Sequence, residues 1–242
     1  MSEASRPVSE PLSIPGRFNG PLQSGNGGYC AGVAAGFLEG AAEASLRRPV
    51  PLDTPLDVVR QGDGSVQVLD GEALVIEARS VPEVEADVPE PVSLHQARLA
   101  AARYRGAAEG PFSRCFVCGR AREDAFGVFA GAVEGRELVA SPWTPPSWAA
   151  DASGHVLAEF VWAVLDCPTY FALYASGELP MSVLARLTAR IDAPVVAGEE
   201  HVVIAWPIEI EGRKHQAGSA VLSLAGEPLA IARALLIELR ER

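Results

Sequence analysis

The sequence predicts an α+β fold in which two similar halves each wrap a long antiparallel sheet around one central helix. Two helical segments, 24–41 and 156–173, each precede four strand-like runs separated by turn residues. The second half can also be laid on the first with matching apolar positions.

The elements follow in order. Residues 1–17 are polar and rich in Pro and Ser, and read as a flexible tail. Arg17-Phe18-Asn19-Gly20 is a short candidate strand. Ser24-Gly25-Asn26-Gly27-Gly28-Tyr29 then opens an Ala-rich helix, with Ser or Asn as cap and glycines that let a neighbour approach the backbone. Runs 43–49, 55–61, 64–70 and 73–80 read as strands, punctuated by Gly62-Asp63-Gly64 and Asp70-Gly71. Residues 81–92 carry three Pro and four acidic residues, so 81–110 reads as a linker with a short helix at 93–105 capped by Ser93. A hairpin around Glu134-Gly135, joining runs 126–133 and 137–143, leads to the very apolar second helix. Runs 183–193, 200–210, 215–224 and 227–239 complete the second set, with turns at Glu211-Gly212 and Ala225-Gly226. The expected domains are thus 18–80 and 111–242.

Setting Pro49 on Pro194 pairs Leu46 with Ile191, Val50 with Val195, Val58 with Val203 and Val59 with Ile204. Setting Leu74 on Leu229 pairs Gly71 with Gly226 and Ile76 with Ile231. Two copies side by side would form one continuous sheet.

Composition narrows the function classes. A net charge of −11 argues against nucleic acid, whose phosphates need clustered Lys and Arg, but leaves room for an anionic ligand held by a few local cations. Four cysteines are too few for a disulfide scaffold and fit a reducing cytoplasm. The N-terminus lacks a charged start followed by an apolar run, so no signal peptide is expected, and no run approaches the roughly 18 apolar residues of a membrane span.

Four blocks carry a family resemblance: Phe18-Asn19-Gly20-Pro21 with Ser24 to Tyr29; Cys115-Phe116-Val117-Cys118-Gly119; Val161-Trp162-Ala163-Val164-Leu165-Asp166-Cys167-Pro168; and Gly212-Arg213-Lys214-His215-Gln216-Ala217-Gly218-Ser219-Ala220. Together they make the chain similar to the thioesterase-like hotdog proteins of the acyl-CoA thioesterase superfamily, most of all a tandem branch common in actinobacteria. Glu123-Asp124-Ala125-Phe126-Gly127 departs from the Gly-Asp-Gly-Leu-like turn of that branch. The resemblance implies a double hotdog, and an acyl-CoA or acyl-carrier thioester as partner. It implies coenzyme A as part of the substrate, with no separate cofactor. A homodimer stays open.

The resemblance also assigns roles. A double glycine starts the central helix of many hotdog thioesterases, where backbone N–H groups polarise the thioester carbonyl, and Asn26-Gly27-Gly28 matches it. The plain alternative is a tight turn that permits close packing. Asp166 matches the helix carboxylate used as general base or nucleophile, and otherwise caps a loop beside Pro168. The first helix has the glycines but only Ala35 where an acid would fall; the second has Asp166 but begins Val156-Leu157-Ala158. One composite site, Asn26, Gly27 and Gly28 with Asp166, is therefore expected.

Other candidates are less specific. Tyr29, Trp143, Trp148, Trp162, Tyr170 and Phe171 would line an acyl tunnel or pack the core. Arg213-Lys214-His215 would hold the nucleotide end of coenzyme A or form a solvated hairpin, with Arg47, Arg48, Arg120 and Arg122 as rivals. Cys115-x-x-Cys118 reads as a structural knuckle, since zinc wants four ligands and neither His95 nor His155 has ligand spacing; no metal is expected. Cys167 has no His partner to make it a nucleophile. His155 is the one applicant for a hydratase or dehydratase, a non-catalytic acyl-thioester or lipid binder is the non-enzyme rival, and no GxSxG is present.

Overall fold

The computed structural model describes residues 12–175 and 179–240. It consists of β1 (Ala42–Leu46), β2 (Asp57–Arg60), β3 (Val66–Asp70), β4 (Ala73–Ser80), β5 (Gly131–Ala132), β6 (Val139–Trp143), β7 (Ser182–Ile191), β8 (His201–Glu211), β9 (Lys214–Leu222) and β10 (Pro228–Glu238), with helices α1 (Gly27–Ala35), α2 (Leu94–Ala101) and α3 (Ala158–Leu173). The strands form one antiparallel sheet in the order β2-β3-β4-β1-β7-β10-β9-β8-β6-β5.

The halves meet where β1 pairs with β7, with Glu43 opposite Thr188, Ala42 opposite Ala189 and Ala44 opposite Leu187. On the Pro49-to-Pro194 alignment, Ala42 overlays Leu187 and Ala44 overlays Ala189, so these pairs exchange under the repeat. A pseudo-twofold axis therefore passes through the Glu43–Thr188 pair. The Leu74-to-Leu229 alignment, in contrast, is one residue out. Leu46 faces Ile76, but its counterpart Ile191 faces Ala230, not Ile231. A one-residue slip reverses the face of every side chain. It is invisible in the sequence because Ala230, Ile231 and Ala232 are all buried.

The first half of β8 and the adjoining stretches of β9 and β10 are apolar on both faces because both are covered. Helices α1 and α3 lie on the inner face, α1 against β1, β4 and β7, α3 against β8, β9 and β10. On the outer face, Val84, Val92 and α2 residues Ala97 and Ala100 bury Ile204, Trp206 and Ile231. The segment expected as a linker is thus a packed cover for the second half. Ser93 caps α2 in a capping box with Gln96, as its sequence suggests.

Two local expectations are corrected. Residues 12–17 are not tail: Ile14 is fully buried, and the Leu12 N–H and carbonyl pair with those of Leu56, the edge place that β6 takes on β8. Residues 1–11 of the expected tail lie outside the described residues. The expected strand at Arg17–Gly20 is a 3₁₀ turn over Gly16–Phe18, followed by a single bridge from Asn19 to Gly25. Among the described residues no helix is long and apolar enough to cross a membrane.

Candidate active site

The site is built where the start of α1 meets the middle of α3. The Asn26 N–H is held by the Phe18 carbonyl, and its Oδ1 accepts from Tyr29 N at 2.9 Å, capping α1. The helices then cross at touching distance. A Cβ on Gly28 would lie 2.5 Å from Asp166 Cβ and 2.6 Å from the Trp162 carbonyl oxygen, and one on Gly32 2.7 Å from Glu159 Cα. Gly28 therefore brings its N–H to 2.8 Å from Asp166 Oδ2. Gly27, the first helical residue, has no partner for its N–H among the described residues.

Asp166 lies inside a gap in the backbone ladder, where the Val164 carbonyl has no N–H from residue 168 to accept. Pro168 lacks an N–H, yet α3 continues through it. Hydroxyls from Ser219 and Thr169 donate to the neighbouring Leu165 and Asp166 carbonyls at 2.6 Å each. The carboxyl is pushed up to about 7, chiefly by burial and further by the Cys115 sulfur, with the Gly28 N–H pulling the other way.

A cavity of about 340 Å³ opens on this pair, with Gly27 and Asp166 in its wall. Apolar side chains such as Leu46, Val50, Phe112 and Leu184 line it, and the exposed Arg47 and Arg48 stand at its rim. Tyr170 is in the wall too, its hydroxyl bonded to the Pro180 carbonyl at 2.9 Å and its ionisation pushed up to about 12 by burial. Cys115, Cys118 and Cys167 also face the cavity. Their thiols interact: hydrogen bonds from Cys118 and Cys167 hold Cys115 well below the usual thiol range, while Cys118 and Cys167 are pushed up.

No protein-family model matches the chain, and no characterised protein matches its sequence. Solved structures do match in shape. A hotdog-fold protein of Alicyclobacillus acidocaldarius superposes with a TM-score of 0.61 over 99% of this chain and 97% of its own, at 12% identity. The chain has a double hotdog fold. The tesB protein of Mycobacterium avium subsp. paratuberculosis matches with a TM-score of 0.55 at 16% identity, covering 88% of this chain and 84% of that one. A candidate thioesterase of Novosphingobium aromaticivorans gives 0.59 at 14% identity over 95% and 94%.

Within the double hotdog, the remaining sequence candidates divide. Tyr29 and Trp162 do not line the cavity. Tyr29 packs among Phe18, Phe116 and Phe160, and Trp162 abuts Gly32, so both expectations of substrate contact are corrected to core packing. Trp143 is buried as well, whereas Tyr170 and Phe171 do reach the wall. Arg213, Lys214 and His215 also lie off the cavity. The His215 ring is buried between the Tyr174 hydroxyl and the Gly212 carbonyl, so it is part of the hairpin's structure, while Arg213 bonds the Glu238 carbonyl and, with Lys214, stays exposed. Arg120 and Arg122 are engaged by the Tyr104 carbonyl and by Asn19 with Asp124. His155 is exposed and bonded near Asp151 and Ser153, away from the cavity. The rim cations are therefore Arg47, paired with Glu77, and Arg48, which has no partner among the described residues. Sequence reasoning named both only as rivals. The convergence of Cys167 on Cys115 and Cys118 it missed, because ligands from a turn and a distant helix leave no spacing signal.

Proposed function

We propose that the double hotdog hydrolyses an acyl-CoA-like thioester at the composite site. The observation that carries this is the Asp166 carboxyl, pushed up to about 7, held by the α1 N-terminus in the wall of an apolar cavity with arginines at its rim. The acyl chain fills the cavity with the thioester carbonyl at Gly27, whose N–H and the α1 dipole stabilise the oxyanion. Ionised Asp166 takes a proton from water as the water oxygen attacks the carbonyl carbon. The tetrahedral intermediate then collapses, breaking the C–S bond, and Asp166 returns the proton to the leaving thiolate. Gly28 N–H fixes the carboxylate rather than the oxyanion. Resemblance to the tesB and candidate thioesterase structures adds to this reading through the fold alone.

A thiol-release screen across acyl-CoA chain lengths tests it, and release from none of them would end the hydrolase reading. The pH profile follows from the base: kcat/KM should rise with pH through about 7 and level off above it. A profile flat from pH 5 to 9 would remove Asp166 from the proton transfer. Arg48→Glu should raise KM for acyl-CoA a few-fold to about tenfold while leaving N-acetylcysteamine thioesters, which lack the phosphates, unchanged.

The Gly28–Asp166 hydrogen bond also favours a second reading, in which the carboxylate only caps α1 and the protein binds acyl thioesters without turnover. Thermal stabilisation by acyl-CoA with no thiol release would select it.

A further inference from the structure

We propose that Cys115, Cys118 and Cys167 form a three-thiolate site for a single zinc(II) ion, with the fourth coordination position open to the acyl cavity. The three Sγ atoms lie within 4.8 Å of one another, and those of Cys115 and Cys167 are 3.7 Å apart. Sulfurs held tetrahedrally at about 2.3 Å from zinc stand about 3.8 Å apart, so Cys118 need close by no more than about 1 Å.

Two ligands come from one turn built to present sulfur. Gly119 N donates to the Cys115 carbonyl at 2.8 Å, closing the turn that carries both sulfurs. A Cβ at position 119 would lie 2.5 Å from the Cys115 carbonyl oxygen, so the turn admits only glycine. The third ligand is supplied by α3 at the residue after Asp166. Asn26 completes the arrangement. With Oδ1 committed to Tyr29 N, its Nδ2 donates toward Cys115 Sγ at 3.7 Å and Cys167 Sγ at 3.5 Å. Neutral donors aimed at sulfur stabilise thiolate ligands from outside the coordination shell.

The ligand set selects the ion. Thiolates prefer zinc over magnesium or calcium, and three protein ligands with an open position suit zinc that binds an incoming ligand rather than a closed structural site. Coordination displaces the three thiol protons to solvent, so affinity weakens as pH falls. All three cysteines face the cavity, which places the open position within it. The site stands on its own geometry and does not require thioester hydrolysis.

Cobalt(II) titration of the metal-free protein in a phosphine reductant tests it. The expected result is one equivalent bound with a near-ultraviolet sulfur-to-cobalt charge-transfer band and strong tetrahedral d–d bands, both bleached by one equivalent of zinc. Cys167→Ser should weaken binding at least about tenfold, and Cys30→Ser, in α1 outside the cluster, should leave it unchanged. The wild-type spectrum is read whether or not the variants fold. Absence of the charge-transfer band in wild type, or full binding retained by the Cys115→Ser/Cys118→Ser/Cys167→Ser variant, would overturn the proposal.

Discussion

Asp166→Asn is expected to abolish thioester hydrolysis, by about 10²- to 10⁴-fold as for loss of a general base, while making the protein more stable above neutral pH. The sign follows from the site. The carboxyl titrates near 7 in the folded chain against about 3.9 unfolded, so folding favours its neutral form. That contribution is fully present below about pH 4 and is lost as pH rises through 7, to a limit of about 4 kcal/mol. Asn keeps an oxygen to accept from Gly28 N and carries no charge to bury. The melting temperature of the variant should thus gain on wild type between pH 5 and pH 8. Melting curves and thiol-release rates across that range check both halves. An Asn variant that turns over normally sinks the catalytic role, and one whose pH dependence of stability matches wild type sinks the buried-carboxylate account.

Gly28→Ala should be among the most damaging single-methyl additions in the chain. Its Cβ would meet the Trp162 carbonyl and the Asp166 Cβ at 2.6 and 2.5 Å, and helix backbone cannot swing aside as a flexible side chain can. Relief requires α1 to move off α3, which also withdraws the Gly28 N–H from Asp166. We expect a loss of about 3 kcal/mol or more, which for a chain of this size lowers the melting temperature by about 6–12 °C, together with loss of activity. Gly62→Ala is the control, since nothing lies within 4 Å of its added Cβ. Near-equal melting temperatures for the two variants would show that the helices do not meet as described.

The strands were legible because hairpin turns leave strong local marks. β4 spans the residues expected of it, and β7 to β10 fall within two residues of their expected bounds. Helix α1 was read too long: alanines suggest continuation, but Gly36 ends it and Phe37 and Leu38 turn away. The proximity of Gly28 and Asp166 could be anticipated because each helix carried a feature the other lacked. Side-chain destinations were harder. Nothing local tells that Tyr29 turns into an aromatic cluster while Tyr170 faces the cavity, or that His215 in a charged run is buried against Tyr174. Such outcomes depend on which face the packed partner covers, a property of the tertiary arrangement. The outer cover over β8–β10 was hidden for the same reason: proline and acidic residues announce a connection, not the surface it lies on.

The seam between β1 and β7 has a consequence for dilution. Separate subunits joined along such an edge part when their concentration falls below the dissociation constant, and their melting temperature follows concentration. Here the seam closes within one molecule, so the tether holds its edges at a fixed effective concentration however scarce the protein becomes. The contact between Gly28 and Asp166, which spans the two halves, is thereby available to a solitary copy of the chain.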